Sequence, residues 1–223
     1  MNIRYKCLIL DHDDTVVDST SSIHYPAHLE IMKRLRPEQT PVSLEEWFLK
    51  NYNPGIFEYY TDELGFDDEE IEQEYTIWRE FTQTKIPEFY DGFMDMLAEY
   101  KARGGIITVV SHSDVDIIRS HYRHHSNSTP IEPEIIFGWH VDSEKRKPSP
   151  YPVECILDEF QITSEDALIL DDLKPGVKMG GATGVSVAAA GWGHQIPEIR
   201  LDMEGICDFY FTRVDEFRTF LLG

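Results

Sequence analysis

Short, nearly continuous apolar runs recur along the chain, each followed by a polar turn and then a helical pattern. The runs are Cys7–Leu10, Ile106–Val110, Ile135–Phe137, Ala167–Leu170, Val185–Ala189 and Phe209–Phe211. Most are rich in branched or aromatic residues and too short for helices, the pattern of parallel strands buried on both faces. Between them, residues 91–103 place Phe93, Leu97 and Tyr100 at i, i+4 and i+7, and Gly104-Gly105 ends the pattern. Residues 150–160, 175–182 and 214–222 read the same way. Strand and helix in alternation predict an open, doubly wound, mostly parallel α/β sheet.

One stretch breaks the alternation. From Asp18 to Pro87 there are helical patterns without a convincing strand, and eleven aromatic residues, among them Trp47, Phe48, Tyr59, Tyr60, Trp78 and Phe81. That is enough apolar bulk for a small core of its own. Its flanks, Asp18-Ser-Thr-Ser-Ser and Thr84-Lys-Ile-Pro-Glu88, are polar or marked by proline, as linkers are. The expected organisation is therefore an α/β core from residues 1–17 and 88–223, with an α-helical cap inserted at 18–87.

Composition narrows the function classes. The formal net charge of −21 disfavours a nucleic-acid partner, whose binding depends on phosphate neutralisation by Lys and Arg. An anionic substrate would need locally concentrated positive charge. No apolar run reaches the roughly 20 residues that span a bilayer, and the first ten residues do not resemble a signal peptide, so no membrane partner and a cytoplasmic setting are expected. Cys7, Cys155 and Cys207 are scattered without metal-ligand spacing and read as plain thiols. Nothing in the composition fixes an oligomeric state.

In open α/β sheets ligands bind just beyond the carboxyl ends of the strands. Asp11-His12-Asp13-Asp14-Thr15 follows the first run and Ser111-His112-Ser113 the second. Lys145-Arg146-Lys147-Pro148 lies on the loop beyond the third, and Asp171-Asp172 follows the fourth. Each segment alone is commonplace, since Asp is frequent in turns, Ser111 could cap the helix beginning near Asp114, and Lys147 could be a solvated loop lysine. Together they deliver carboxylates, a hydroxyl and an ammonium to one end of one sheet. Phosphoryl transfer through a carboxylate nucleophile uses that set: positioning, charge neutralisation and a hard divalent cation.

These segments resemble the four motifs of the haloacid dehalogenase superfamily. Asp11-His-Asp-Asp-Thr-Val-Val-Asp-Ser19 is similar to its first motif, Ser111 to its second, Lys147-Pro148 to its third, and Leu168-Ile-Leu-Asp171-Asp172 to its fourth, with Gly176 and Gly184 at the usual later positions. Pro87-Glu-Phe-Tyr-Asp-Gly92 looks like the re-entry into the core. A helical insert between the first two motifs resembles the phosphoglycolate phosphatase and β-phosphoglucomutase branch. The resemblance implies a Rossmann-like core and a magnesium-dependent phosphatase acting on a small phosphorylated metabolite. It implies Asp11 as nucleophile and Asp13 as acid/base, with Ser111 and Lys147 gripping the phosphoryl group. Mg²⁺ would be held by the Asp11 side chain, the Asp13 backbone carbonyl, Asp171 and Asp172. Asp14 stands where the family usually has glycine. His12 and His112 take positions that are often smaller or apolar, where they either line the pocket or pack.

A phosphomutase of the same branch keeps every one of these residues and is the alternative reading. A dehalogenase is disfavoured because such members lack an acid/base aspartate two residues after the nucleophile. A signalling receiver domain has its acidic pair first and no insert of this size, and complete motifs argue against an inactive binding module. The loop Asn51–Gly55 and the cations Lys50, Arg79 and Lys85 are candidate substrate contacts of the insert. His121, His124 and His125 are expected on a solvent-facing helix end.

Overall fold

In the computed structural model, which describes residues 3–125 and 131–223, all six apolar runs pair into one sheet. In chain order the strands are β1 (Cys7–Leu10), β2 (Val17–Asp18), β3 (Glu88–Phe89), β4 (Ile106–Val110), β5 (Ile135–Phe137), β6 (Ala167–Asp171), β7 (Ser186–Ala190) and β8 (Phe209–Phe211). The main sheet runs β5-β4-β1-β6-β7-β8, and every pairing in it is parallel. β2 and β3 form a separate antiparallel ribbon.

The helices are α1 (Tyr25–Leu35), α2 (Leu44–Tyr52), α3 (Ile56–Glu58), α4 (Asp68–Thr84), α5 (Phe93–Ala102), α6 (Val115–His125), α7 (Tyr151–Glu159), α8 (Lys174–Thr183), α9 (Pro197–Ile206) and α10 (Val214–Leu222). Side chains alternate across a strand, and both faces of this sheet are covered. Leu8, Leu10, Leu168, Leu170, Ala188 and Ala190 join one apolar cluster with Phe93, Leu97, Ile118 and Phe217. Cys7, Ile9, Ala167, Ile169 and Val187 join the other with Val153, Ile156 and Met179. That two-sided burial is why the runs are nearly continuously apolar.

The chain divides into two compact units, Met1–Asp18 with Glu88–Gly223, and Ser19–Pro87. The first is the α/β core. The second is helical, with its own core of Ile31, Trp47, Tyr59, Tyr60, Phe66 and Ile77. Its helices are well started. Ser43 and Glu46 form a capping box at α2, as do Asp67 and Glu70 at α4, each cap contributing about 1 kcal/mol. Arg36 meets Glu70 and also donates to the carbonyls of Leu64 and Gly65, tying the end of α1 to the start of α4. Among the described residues no helix is long and apolar enough to cross a membrane.

Some expectations need adjusting. α9 was not anticipated; it opens on Pro197, a good first helical residue, and buries Ile199 and Met203 one turn apart. β6 extends one residue further, to Asp171, and β7 starts one residue later than its apolar run, after Gly184 takes the left-handed conformation that ends α8. The histidine cluster is corrected at one position. His121 is buried, because α6 turns Ile117, Ile118, His121 and Tyr122 inward together, while His124 is exposed.

Candidate active site

The centre of the sheet, β4-β1-β6, brings three strand ends side by side. The Asp11 amide donates to Leu170 O (2.8 Å) and so continues the β1–β6 ladder one residue past the strand. The chain then turns back, with Val16 and Val17 donating to His12 O. This tight return is made at Asp14, which takes φ 55° in the left-handed region. Asp adopts that region more readily than most residues, so it can stand in for the expected glycine. Close approach from the far side needs Gly193, where an added Cβ would lie 2.0 Å from Asp14 O.

Lys147 arrives on the loop after β5. Its Nζ donates to Asp11 Oδ1 at 2.6 Å and to Asp171 Oδ2 at 3.1 Å, with all three side chains almost fully buried. Its carbonyl accepts from His112 Nε2 at 2.9 Å. Asp171 is further held by the Leu173 amide (2.9 Å), and the Thr15 hydroxyl donates to Asp172 Oδ1 (3.4 Å). α8 approaches this corner closely because residue 176 is glycine: an added Cβ would sit 2.5 Å from Asp171 Cβ.

Carboxylate oxygens of Asp11, Asp171 and Asp172 all lie within 4.8 Å of one another, and the three residues are buried. This cluster is able to coordinate a divalent metal. Burial, reinforced by Asp171 and Asp13 and opposed by Lys147, pushes the Asp11 carboxyl up to about 7. Burial and then its acidic neighbours push Asp172 up as well. Burial works against the charge on Lys147, but Asp11 and Asp171 outweigh it and raise its pKa, so the ammonium is retained. One cation set among three mutually close carboxylates leaves a deficit of positive charge, which a hard divalent ion such as magnesium fits.

Asp13 stands apart from that cluster. It is half-buried, and its Oδ2 accepts from Ser113 Oγ at 2.6 Å and from Ser111 Oγ at 3.5 Å. The two flanking histidines separate. His12 is fully buried and packs, its Nε2 2.9 Å from His121 Nδ1 with the rings stacked. His112 is exposed beside Lys147, with Trp139 at 6.4 Å between ring centroids and the Arg146 guanidinium 3.9 Å from the Trp139 ring.

A family model of haloacid dehalogenase-like hydrolases matches residues 8–190, four-fifths of the chain, a span that holds Asp11, Asp13, Ser111, Lys147, Asp171 and Asp172. The chain belongs to this family. Solved structures similar to it include a protein from Bacteroides fragilis provisionally described as a haloacid dehalogenase-like hydrolase, with 19% identity, TM-score 0.77, 96% of this chain and 99% of that chain covered. A protein from Lactobacillus plantarum provisionally described as a phosphoglycolate phosphatase gives 20% identity, TM-score 0.72, and 96% and 98% coverage. One from Bacteroides vulgatus provisionally described as a β-phosphoglucomutase gives 22% identity, TM-score 0.72, and 98% and 88% coverage. At these identities the likeness is one of fold. No curated protein matches the chain.

All six residues expected of a haloacid dehalogenase-like site, Asp11, Asp13, Ser111, Lys147, Asp171 and Asp172, come together at these strand ends. Two further contacts, from Thr15 and Ser113, were not anticipated. Ser113 lies in the bend just beyond β4 and Thr15 in the turn after β1, and no pattern of the sequence marks either contact. In the helical unit, Lys50 contacts Glu63 and Lys85 donates to Ser22 O, so both cations have partners within that unit.

Proposed function

We propose that the chain is a magnesium-dependent phosphatase of the phosphoglycolate phosphatase and β-phosphoglucomutase branch, hydrolysing a small phosphomonoester through an aspartyl-phosphate at Asp11. The observation that carries this reading is the setting of Asp11. Its carboxylate touches the Lys147 ammonium and faces two further carboxylates, while a second carboxyl group two residues along is held by hydroxyls. The structures described as a phosphoglycolate phosphatase and a β-phosphoglucomutase support the choice of branch.

Asp11 Oδ attacks phosphorus, the bond from phosphorus to the leaving oxygen breaks, and Asp13 gives that oxygen a proton. Water then attacks the acyl phosphate, passing a proton to Asp13, and the bond between phosphorus and Asp11 breaks to release inorganic phosphate. Ser111 and Lys147 hold the non-bridging oxygens, the lysine as a point charge already fixed in place. Bound magnesium, held by the carboxylates of Asp11, Asp171 and Asp172 and the carbonyl of Asp13, would supply the charge that lets a carboxylate approach a phosphate dianion. With a formal charge of −21, an anionic metabolite would be admitted by the Lys147 ammonium together with the bound ion, and a polyanionic nucleic acid is not expected as a partner.

Release of inorganic phosphate from a panel of small monoesters should require magnesium, cease with a chelator and return on adding the ion back. Full activity in metal-free buffer would contradict the reading. Isomerisation of a sugar phosphate much faster than phosphate release would convert it to a mutase.

A further inference from the structure

Of the two serines after β4, only Ser111 answers to a motif, yet Ser113 makes the shorter bond to Asp13. Its Oγ lies 2.6 Å from Asp13 Oδ2, against 3.5 Å for Ser111 Oγ. A separation of 2.6 Å is that of a hydroxyl donating to a charged carboxylate, whereas 3.5 Å is at the limit of a hydrogen bond. Ser113 is also fixed from both sides. Its amide donates to Ser111 Oγ at 3.1 Å, and its carbonyl accepts from the Trp139 amide at 3.0 Å. Gly138 makes that second contact possible, since an added Cβ there would lie 2.6 Å from Ser113 O. The residue is 3% exposed. It is thus a rigid post at a strand end, while Asp13 sits half-buried on the turn leading into Asp14.

We propose that Ser113 is the positioning residue of Asp13: its hydroxyl holds the Asp13 carboxyl where it exchanges protons with the leaving oxygen and with water, and so leaves the Ser111 hydroxyl for the phosphoryl group. The inference rests on Asp13 being the acid/base of the proposed phosphatase. Holding a short, rotatable carboxyl in its working orientation removes the cost of finding that orientation in each turnover. The division of labour also explains why this loop carries a serine on each side of His112, whose ring turns instead to Lys147 O.

The test compares wild type, Ser113→Ala, Ser113→Thr, Asp13→Asn and the double variant on an alkyl phosphate and on p-nitrophenyl phosphate, under single-turnover conditions and in steady state. Thermal melts confirm folding, and the serine-to-alanine change removes a single oxygen. Ser113→Ala should slow transfer from the alkyl ester about 10- to 100-fold, with KM little changed and a smaller loss on the aryl ester, which leaves without a proton. Ser113→Thr should restore most of the rate. Added to Asp13→Asn, Ser113→Ala should cost nothing more, because the two act as one unit. Equal losses on both esters, a change confined to KM, or full additivity with Asp13→Asn would overturn the assignment. If Asp13→Asn is impaired while Ser113→Ala is not, the inference alone fails. If Asp13→Asn is as active as wild type on the alkyl ester, the acid/base reading fails and takes the inference with it.

Discussion

Asp11→Asn should lower turnover of every phosphomonoester by on the order of 10⁴-fold or more. The amide lone pair is delocalised and carries no charge, so it does not attack phosphorus at a useful rate. The change also removes one of the three carboxylates within 4.8 Å of one another and weakens any metal held there. The side chain keeps its shape, and Lys147 keeps Asp171 at 3.1 Å, so the fold should survive. Indeed the variant should melt higher than wild type near pH 7 in chelator. Burial holds the folded-state Asp11 carboxyl up at about 7, well above the ordinary range of a free aspartate, so the folded state binds the proton more tightly than the unfolded one. Stability from this group is therefore lost as pH rises from about 4 towards 7, a loss that asparagine does not carry. An inactive protein of equal or higher melting temperature separates lost chemistry from lost structure; an Asp11→Asn variant with normal turnover would remove Asp11 from the mechanism.

Lys147→Met should fail in two ways. Its ammonium bonds to Asp11 Oδ1 and Asp171 Oδ2 while only 4% exposed, and removing one partner of a buried ion pair leaves the others uncompensated at a cost of about 3–5 kcal/mol. For a chain of this length that is a fall of about 6–20 °C in melting temperature in metal-free buffer. Magnesium should recover part of it, since the ion meets the same carboxylates. Turnover should drop about 10²- to 10³-fold even with magnesium present, the size expected for losing one fixed donor to developing charge. Calorimetry with and without the ion, beside the rate, checks both. A melting temperature that does not move in chelator would mean that Lys147 is not the counter-ion of the cluster.

How far the sequence could be read depended on how local each signal was. The buried strands announced themselves because Leu8, Leu168 and Ala188 face one layer while Ile9, Ile169 and Val187 face the other, leaving few polar positions in the runs, Thr108 and Ser186 among them. Asp11, Asp171 and Asp172 were legible because they follow the apolar runs immediately. α9 was harder, with only Ile199 and Met203 marking its buried stripe amid Arg200, Asp202 and Glu204. His121 was misjudged because its neighbours His124 and His125 suggest a polar helix end, and only the inward phase of Ile117, Ile118 and Tyr122 decides that it is buried. Ser113 and Thr15 escaped notice for a different reason. Their importance lies in what they touch across 100 and 157 residues of chain, and no periodicity encodes that. The fully buried His28, stacked on Trp47 at 4.1 Å with its imidazole lowered by burial to about 4, is a further polar residue of the helical unit that pattern alone does not distinguish from surface.

The most direct measurement is of the intermediate itself. Asp13→Asn retains Asp11 as nucleophile and its own backbone carbonyl, but has lost the group that activates water, a loss typically worth about 10²–10⁴-fold. Given magnesium and an ester with a good leaving group, it should therefore accumulate a covalent phosphoryl adduct. Peptide mass spectrometry should find the added phosphoryl mass on the peptide containing Asp11, and hydroxylamine should remove it, as it does an acyl phosphate and not a phosphoserine. Phosphate on Ser111, Ser113 or a histidine, or a stable adduct that resists hydroxylamine, would contradict the account.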